Sequence, residues 1–236
     1  MKTLTIVTVT YNAAASLQTT IDSIASQIWK DWEWIVVDGG SQDATVEIAR
    51  SSGIASQIIS EKDNGIFDGM NKGIQRAESR WIVFMNAGDT FYDSETLASL
   101  QLDSREPSCI LYGDCVLVTT GGHILRKARP FTEHPDKPWG IGICHQSIYC
   151  PTAWMKAHPF LWKEYPICAD YRFVRSLWEE GKKLEHIPRP LSYYEYGDGN
   201  SSKPDNYRRT LKENARIAHL YPSLTYVIEW IKSYFK

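Results

Sequence analysis

Trp34-Ile35-Val36-Val37-Asp38-Gly39-Gly40-Ser41 is the stretch that decides the fold. Four apolar residues run without a break into an aspartate, two glycines and a serine. Aromatic and β-branched side chains favour a strand, and Asp-Gly-Gly-Ser is turn chemistry. Upstream, Leu4 to Val9 is another β-rich run, ending in Thr10-Tyr11-Asn12. Between the two runs Leu17, Ile21 and Ile24 recur at helical spacing. Downstream the alternation continues. A helix is predicted over about 44–52, a short strand over Gln57–Ser60, and a helix marked by Ile66, Met70, Ile74 and Ala77. A further apolar strand, Trp81 to Met85, ends in Asn86-Ala87-Gly88-Asp89. Strands that alternate with helices form right-handed βαβ units around a mostly parallel sheet. The expected class is α/β, with a Rossmann-like central sheet and helices on both faces.

Beyond residue 100 the pattern changes. Ile110–Val118 and His123–Lys127 flank Gly121-Gly122 and read as a hairpin. Gln146–Cys150 is predicted as a strand. Phe173, Val174, Leu177 and Trp178 mark a helix that stops at Gly181. Residues from about 205 onward read as helical. The C-terminal part of the sheet should therefore be mixed or antiparallel. Residues 1–204 are expected to form one domain, with 205–236 as a helical tail.

Composition bounds the function. The chain has 236 residues and a net charge of −2, which leaves no basic field to hold nucleic acid. The five cysteines include no C-x-x-C pair, so reduced thiols are expected rather than a disulfide framework or a zinc site. The first residues enter a strand at once, with no signal-peptide h-region, and no stretch reaches transmembrane length. A cytoplasmic location follows as the expectation.

Ligands of open parallel sheets bind beyond the carboxyl ends of the strands. Polar clusters stand at four such ends: Thr10-Tyr11-Asn12, Asp38-Gly39-Gly40-Ser41, Glu61-Lys62-Asp63-Asn64-Gly65 and Asn86-Ala87-Gly88-Asp89. One cluster would be ordinary loop chemistry; four in phase favour a site. The G-x-G-x-x-G fingerprint is missing after the first strand, and there is no G-x-x-x-x-G-K-[ST] or G-x-S-x-G motif. Dinucleotide oxidoreductase, P-loop ATPase and α/β-hydrolase readings lose their support.

The segments Thr5–Asn12, Trp32–Thr45, Ser60–Ile74 and Trp81–Asp89 resemble the family 2 glycosyltransferases, which have the GT-A fold. The resemblance covers roughly the first 100 residues and is nearest to bacterial enzymes that build capsule, exopolysaccharide or O-antigen. Cys144-His145-Gln146, Ala169-Asp170-Tyr171 and the run from Tyr196 to Ser202 extend it more weakly. It implies an inverting transfer of a sugar from a nucleoside diphosphate, with a UDP-sugar favoured, to a saccharide or lipid-linked saccharide hydroxyl. Residues 1–100 would hold the donor, and 101–204 the acceptor and the base. A sugar nucleotidyltransferase and a non-catalytic nucleotide-sugar binding module are the competing readings.

The resemblance also distributes roles. Thr10, Tyr11 and Asn12 would line the base, and Asp38 with Gly40 and Ser41 would hold the nucleotide. Asp89 would bind Mg²⁺ or Mn²⁺. The family's Asp-x-Asp is here reduced to one carboxylate, leaving Asn86 to offer a neutral oxygen or bind the sugar. Asp68, Asn71 and Lys72 would lie near the donor diphosphate; for Asp68 and Lys72, helix-end electrostatics is an equal alternative. Asp170 would be the general base, though an N-cap role competes. The preceding residue is Ala169, where the family commonly has a second acid. His145 and Gln146 would face the acceptor or serve structure. The loop Tyr193–Ser202 would either close over donor or stay in solvent.

In the tail, Leu224, Val227, Ile228, Ile231 and Phe235 fall on one helical face, while Arg208, Lys212 and Arg216 recur every four residues. This pattern fits either peripheral contact with a membrane or a helix docked on the domain.

Overall fold

The structure is a computed structural model that describes residues 1–128, 143–196 and 204–232. Strands β1 (Leu4–Thr10), β2 (Trp32–Asp38), β3 (Gln57–Ser60) and β4 (Trp81–Phe84) pair in parallel in the order β3-β2-β1-β4. Helices α1 (Leu17–Ser26), α2 (Thr45–Ser51) and α3 (Ile66–Arg76) make the crossovers. The period-two alternation of the strands sorts their side chains onto two faces. Val7, Val9, Ile35, Val37, Ile82 and Phe84 pack with Phe67, Met70 and Ile74 of α3. Leu4, Ile6, Trp34, Val36, Trp81 and Val83 pack with Leu17, Ile21 and Ile24 of α1 on the other face. Gly69 and Gly73 let α3 lie directly on β1, because a Cβ at either would collide with Val9 or Val7.

Past β4 come β5 (Thr90–Phe91), α4 (Thr96–Ser99), β6 (Cys109–Thr119), β7 (Gly122–Arg126), β8 (Ile148–Pro151), α5 (Thr152–Ala157), α6 (Ala169–Glu179) and β9 (Lys183–Glu195). The sheet continues as β4-β8-β6-β9-β5, with β7 hairpinned onto β6. Strand β8 is antiparallel to β4 and β6, whereas β9 runs parallel to β6. The C-terminal part is therefore mixed, as expected.

Several expectations need correcting. Gln146 and Ser147 belong to a 3-10 turn, His145–Ser147, and the strand begins at Ile148. The 13-residue β9 has no counterpart in the sequence pattern. Its Pro188 and Pro190 argue against a central strand. Registry with β6 jumps from Gly113↔Ile187 to Asp114↔Pro190, so a bulge absorbs the interruption. Gly113 permits it, since a Cβ there would meet Leu191 and the Arg189 carbonyl. Tyr193–Glu195, expected in a loop, end that strand; Gly197–Ser202 lie outside the described residues. Cys115 and Cys144 are joined as a disulfide, with Cα atoms 6.6 Å apart, so reduced thiols are not the rule for that pair. Cys109, Cys150 and Cys168 are free and buried.

The tail is two helices, α7 (Pro204–Ile217) and α8 (Leu224–Lys232). Phe235 and Lys236 lie outside the described residues. Helix α7 is tied to the domain. Ile217 enters the main core, and the buried Glu213 carboxylate accepts from the backbone N–H groups of Ile167 (3.1 Å) and Cys168 (2.9 Å). That carboxylate closes the N-terminus of α6. No helix among the described residues is long and apolar enough to cross a membrane.

Candidate functional site

Because β1, β2 and β4 are parallel, their carboxyl ends lie along one edge, and the polar clusters that follow them meet there. Two groups of side chains form, one on each side of β1.

The first surrounds Asp38. Thr10 pairs with Asp38 in register, and its hydroxyl donates to Oδ1 at 3.0 Å. The Ser41 hydroxyl donates to the same oxygen. Oδ2 accepts from the Gly40 N–H (3.1 Å), the Ser41 N–H (2.9 Å) and the Ser60 hydroxyl (2.7 Å). Burial by itself would raise the carboxyl pKa; the hydroxyl and N–H donors outweigh it and hold Asp38 below the usual carboxylate range. Asp38 is fully buried, and five donors already use its lone pairs. It fixes the shape of the loops rather than presenting a free acceptor. Asn12 clips the same loops. With φ at +48°, it takes the Ser41 hydroxyl oxygen on its N–H (2.7 Å) and gives its side-chain oxygen to the Gln42 N–H (2.9 Å). Tyr11 stands at the rim, 65% exposed, with its ring free for stacking.

The second group links residues far apart in sequence. The Val9 N–H donates to Asn86 Oδ1 at 3.4 Å, which orients the Asn86 amide. Asn86 Nδ2 then lies 2.9 Å from His145 Nε2, so that ring nitrogen accepts and the proton sits on Nδ1. Nδ1 faces Asp170 Oδ2 at 3.4 Å. The Asp170 side chain keeps 27% of its surface exposed, so a ligand can reach it. Asp89 is beside this chain and buried. Its Oδ2 accepts from Gln146 Nε2 (2.7 Å) and its Oδ1 from the Glu195 N–H (3.1 Å). Burial pushes its pKa up to about 6, against the Gln146 bond and the neighbouring His145. Thr20 holds the turn that presents Asp89. Its hydroxyl donates to the Asn86 and Asp89 carbonyls (3.2 and 2.8 Å) and accepts from the Gly88 N–H (2.9 Å).

The residues of α3 stand apart from both groups. The Asn71 amide bonds the Phe160 backbone twice, donating to O at 3.0 Å and accepting from N at 2.8 Å. Asp68 accepts from the Asn64 N–H and amide, a helix-entry role. Lys72 donates to the Lys62 carbonyl and pairs with Glu61 at 2.9 Å. For Asp68 and Lys72, helix-end and loop electrostatics are what the structure displays. Asn71 is a packing clamp on Phe160 rather than a ligand-facing amide. A cavity of about 290 Å³ between α5 and α6, lined by His158, Leu161, Arg172 and Phe173, contains none of the site carboxylates.

Thr20 and Glu213 carried no signal in the sequence, and Ser60 and Glu195 were not singled out within the segments that hold them. The first is mid-helix, and Glu195 ends a strand that the pattern does not reveal. Ser60 closes the predicted strand β3, yet nothing local shows that it faces Asp38. Glu195 also places its carboxylate against Gly88, where an added Cβ would lie 3.2 Å from Oε2.

The family model described as Glycosyl transferase family 2 matches residues 5–149. A Mycobacterium bovis BCG protein named PGL/p-HBAD biosynthesis glycosyltransferase is 35% identical over 150 residues, 59% of this chain and 56% of that protein. An uncharacterized glycosyltransferase of Mycobacterium tuberculosis is 32% identical over 178 residues, 73% of this chain and 67% of its own length. The chain thus spans little more than half the length of the first of these relatives. Among solved structures, Staphylococcus aureus TarS 1-349 in complex with UDP-GlcNAc superposes with a TM-score of 0.69 at 17% identity, covering 99% of this chain and 72% of that one. The mannosyltransferase PcManGT from Pyrobaculum calidifontis, in complex with GDP-Man and Mn²⁺, reaches 0.73 at 16% identity, covering 99% and 73%. The fold is the GT-A fold of these transferases.

Proposed function

The chain belongs to glycosyl transferase family 2, and from that premise we propose that it is an inverting glycosyltransferase acting on a nucleoside diphosphate sugar, with a UDP-sugar as donor. The observation that carries the reading is the chain Val9–Asn86–His145–Asp170, which brings one exposed carboxylate to the edge where the donor-side loops meet. An acid drawn there from a separate helix is what a transferase needs to deprotonate an acceptor.

Tyr11 stacks on the base, and the loops shaped by Asp38 present Asn12, Gly40 and Ser41 to the nucleoside. Asn86 and Asp89 face the diphosphate and sugar. The acceptor enters from the Asp170 side. As its oxygen attacks the anomeric carbon, the hydroxyl proton passes to Asp170, the bond to the diphosphate breaks, and the configuration inverts. His145 Nδ1–H holds Asp170 in place. Residues 1–100 form the donor half, and 101–204 the acceptor and base half. The acceptor is a saccharide or lipid-linked saccharide of bacterial surface polysaccharide assembly, met at the cytoplasmic face of the membrane.

No group of three His, Cys, Asp or Glu among the described residues encloses a metal by itself. Mg²⁺ and Mn²⁺ bound to a diphosphate need only one or two protein carboxylates. Asp89 fits that demand, with Glu195 beside it, because each of its oxygens holds one N–H donor and keeps a lone pair for a cation. A divalent ion held by Asp89 would supply positive charge to the departing diphosphate.

Asp170→Asn tests the assignment. Transfer falls by about 10²- to 10⁴-fold, while UDP binding by calorimetry is unchanged. Wild-type turnover in the variant removes Asp170 from the mechanism.

A further inference from the structure

Helix α8 is apolar on two sides. Tyr226, buried, and Trp230 pack inward on Leu211 and Ala215 of α7. Leu224, Val227, Ile228 and Ile231, spaced at i, i+3, i+4 and i+7, point outward and are 76%, 43%, 43% and 53% exposed. A surface helix ordinarily turns its second face to water with polar groups. This one presents a row of aliphatic side chains, so something apolar covers it.

Charge identifies the cover. Residues 203–236 hold seven Lys and Arg against three Asp and Glu, whereas the remainder holds nineteen against twenty-five. The C-terminal segment is thus cationic in sequence and the rest of the chain acidic. On α7 the Lys212 ammonium sits over the ring of Tyr221, in the α7–α8 connection, at 5.6 Å, while the Arg216 guanidinium sits over Tyr165 of the domain at 5.7 Å. A second copy of the chain is a poor occupant. It would bring two cationic segments together, and four partly exposed side chains fall short of the roughly 800 Å² per partner that stable dimers bury.

We infer that the α8 face is a docking surface for an anionic lipid bilayer, into whose interface Leu224, Val227, Ile228 and Ile231 insert while the flanking cations meet the headgroups. The inference stands independently of the transfer chemistry. Its consequence for the site rests on the proposed function. Glu213 of α7 bonds the backbone at Ile167 and Cys168, so the docked hairpin adjoins the helix proposed to carry the base.

The test is flotation of the full chain with vesicles of phosphatidylcholine alone and of phosphatidylcholine mixed with phosphatidylglycerol. The protein should float with the mixed vesicles and not the neutral ones, and high salt should release it. Ile228→Ser with Ile231→Ser should weaken partitioning by at least about tenfold. Lys212→Gln with Arg216→Gln should weaken it by about fivefold for each charge removed. All four positions are exposed, and unchanged melting temperatures would show that the fold is kept. Three results overturn the inference: no flotation with either vesicle, flotation unaffected by both variants, or a concentration-dependent dimer that the Ile228/Ile231 variant abolishes. UDP binding read on the same preparations separates this failure from failure of the proposed function.

Discussion

His145 joins the two halves of the site through its two ring nitrogens. Nε2 accepts from Asn86, and Nδ1 faces Asp170. Replacement by alanine leaves both Asp170 and the Asn86 amide without their His145 partner, while the loops around Asp38 keep all their bonds. His145→Ala is expected to lower kcat by about tenfold to a hundredfold with donor KM nearly constant, measured by steady-state kinetics; a change confined to KM would contradict the positioning role. Asp89 gives a second expectation, about stability. Its pKa in the folded protein, about 6, lies above the value near 4 of an unfolded aspartate. The folded state therefore binds the extra proton, and the stability tied to it is lost as pH rises through about 6. Asp89→Asn removes that loss, because the Gln146 amide can turn to match the new one. The ligand-free variant should melt at or above wild type at pH 8, and the gap should close near pH 4. A lower melting temperature at pH 8 would refute this account of Asp89. Both aspartates and the histidine were legible as candidates in the sequence. Their bonds were not, because Asn86, His145 and Asp170 meet only through space.

At the scale of elements, α6 and α7 are coupled by one carboxylate. Helix N-termini leave backbone N–H groups without partners, and at α6 Glu213 takes that of the N-cap residue Cys168 and that of Ile167 just before it. Glu213→Ala should destabilise the fold by about 1–3 kcal/mol, the cost of a buried polar group left unmatched, read as a lower urea midpoint. It should also lower kcat, since Asp170 begins the same helix. Intact stability would show that water replaces Glu213. The tail is thus a support for α6, the helix that carries Asp170. The four parallel strands and α3 could be read from their periodicity, since each is a short local pattern. Strand β9 could not, because its prolines and charges are tolerated only where the Gly113 bulge receives them.

For the molecule as a whole, the two loop groups converge because parallel strands finish on one edge. Ligand binding should therefore tie β1, β2, β4 and α6 together. UDP with Mn²⁺ should raise the melting temperature more than UDP alone, since a ligand stabilises in proportion to its occupancy of the folded state. Equal shifts with and without the metal would count against Asp89 as its ligand. The sequence by itself determined the α/β alternation, the strand-end clusters and the family, because these are written in neighbouring residues a few positions apart. Only the tertiary structure decided that Asp38 is saturated by its own loops, that Cys115 meets Cys144, and that Asn71 clamps Phe160 instead of a ligand. It also decided that the Glu195 N–H meets Asp89 and that Glu213 meets the backbone before α6. Each of these depends on distances between segments that no local pattern encodes, and hydrogen bonds of about 3 Å are specified only once the sheet has closed.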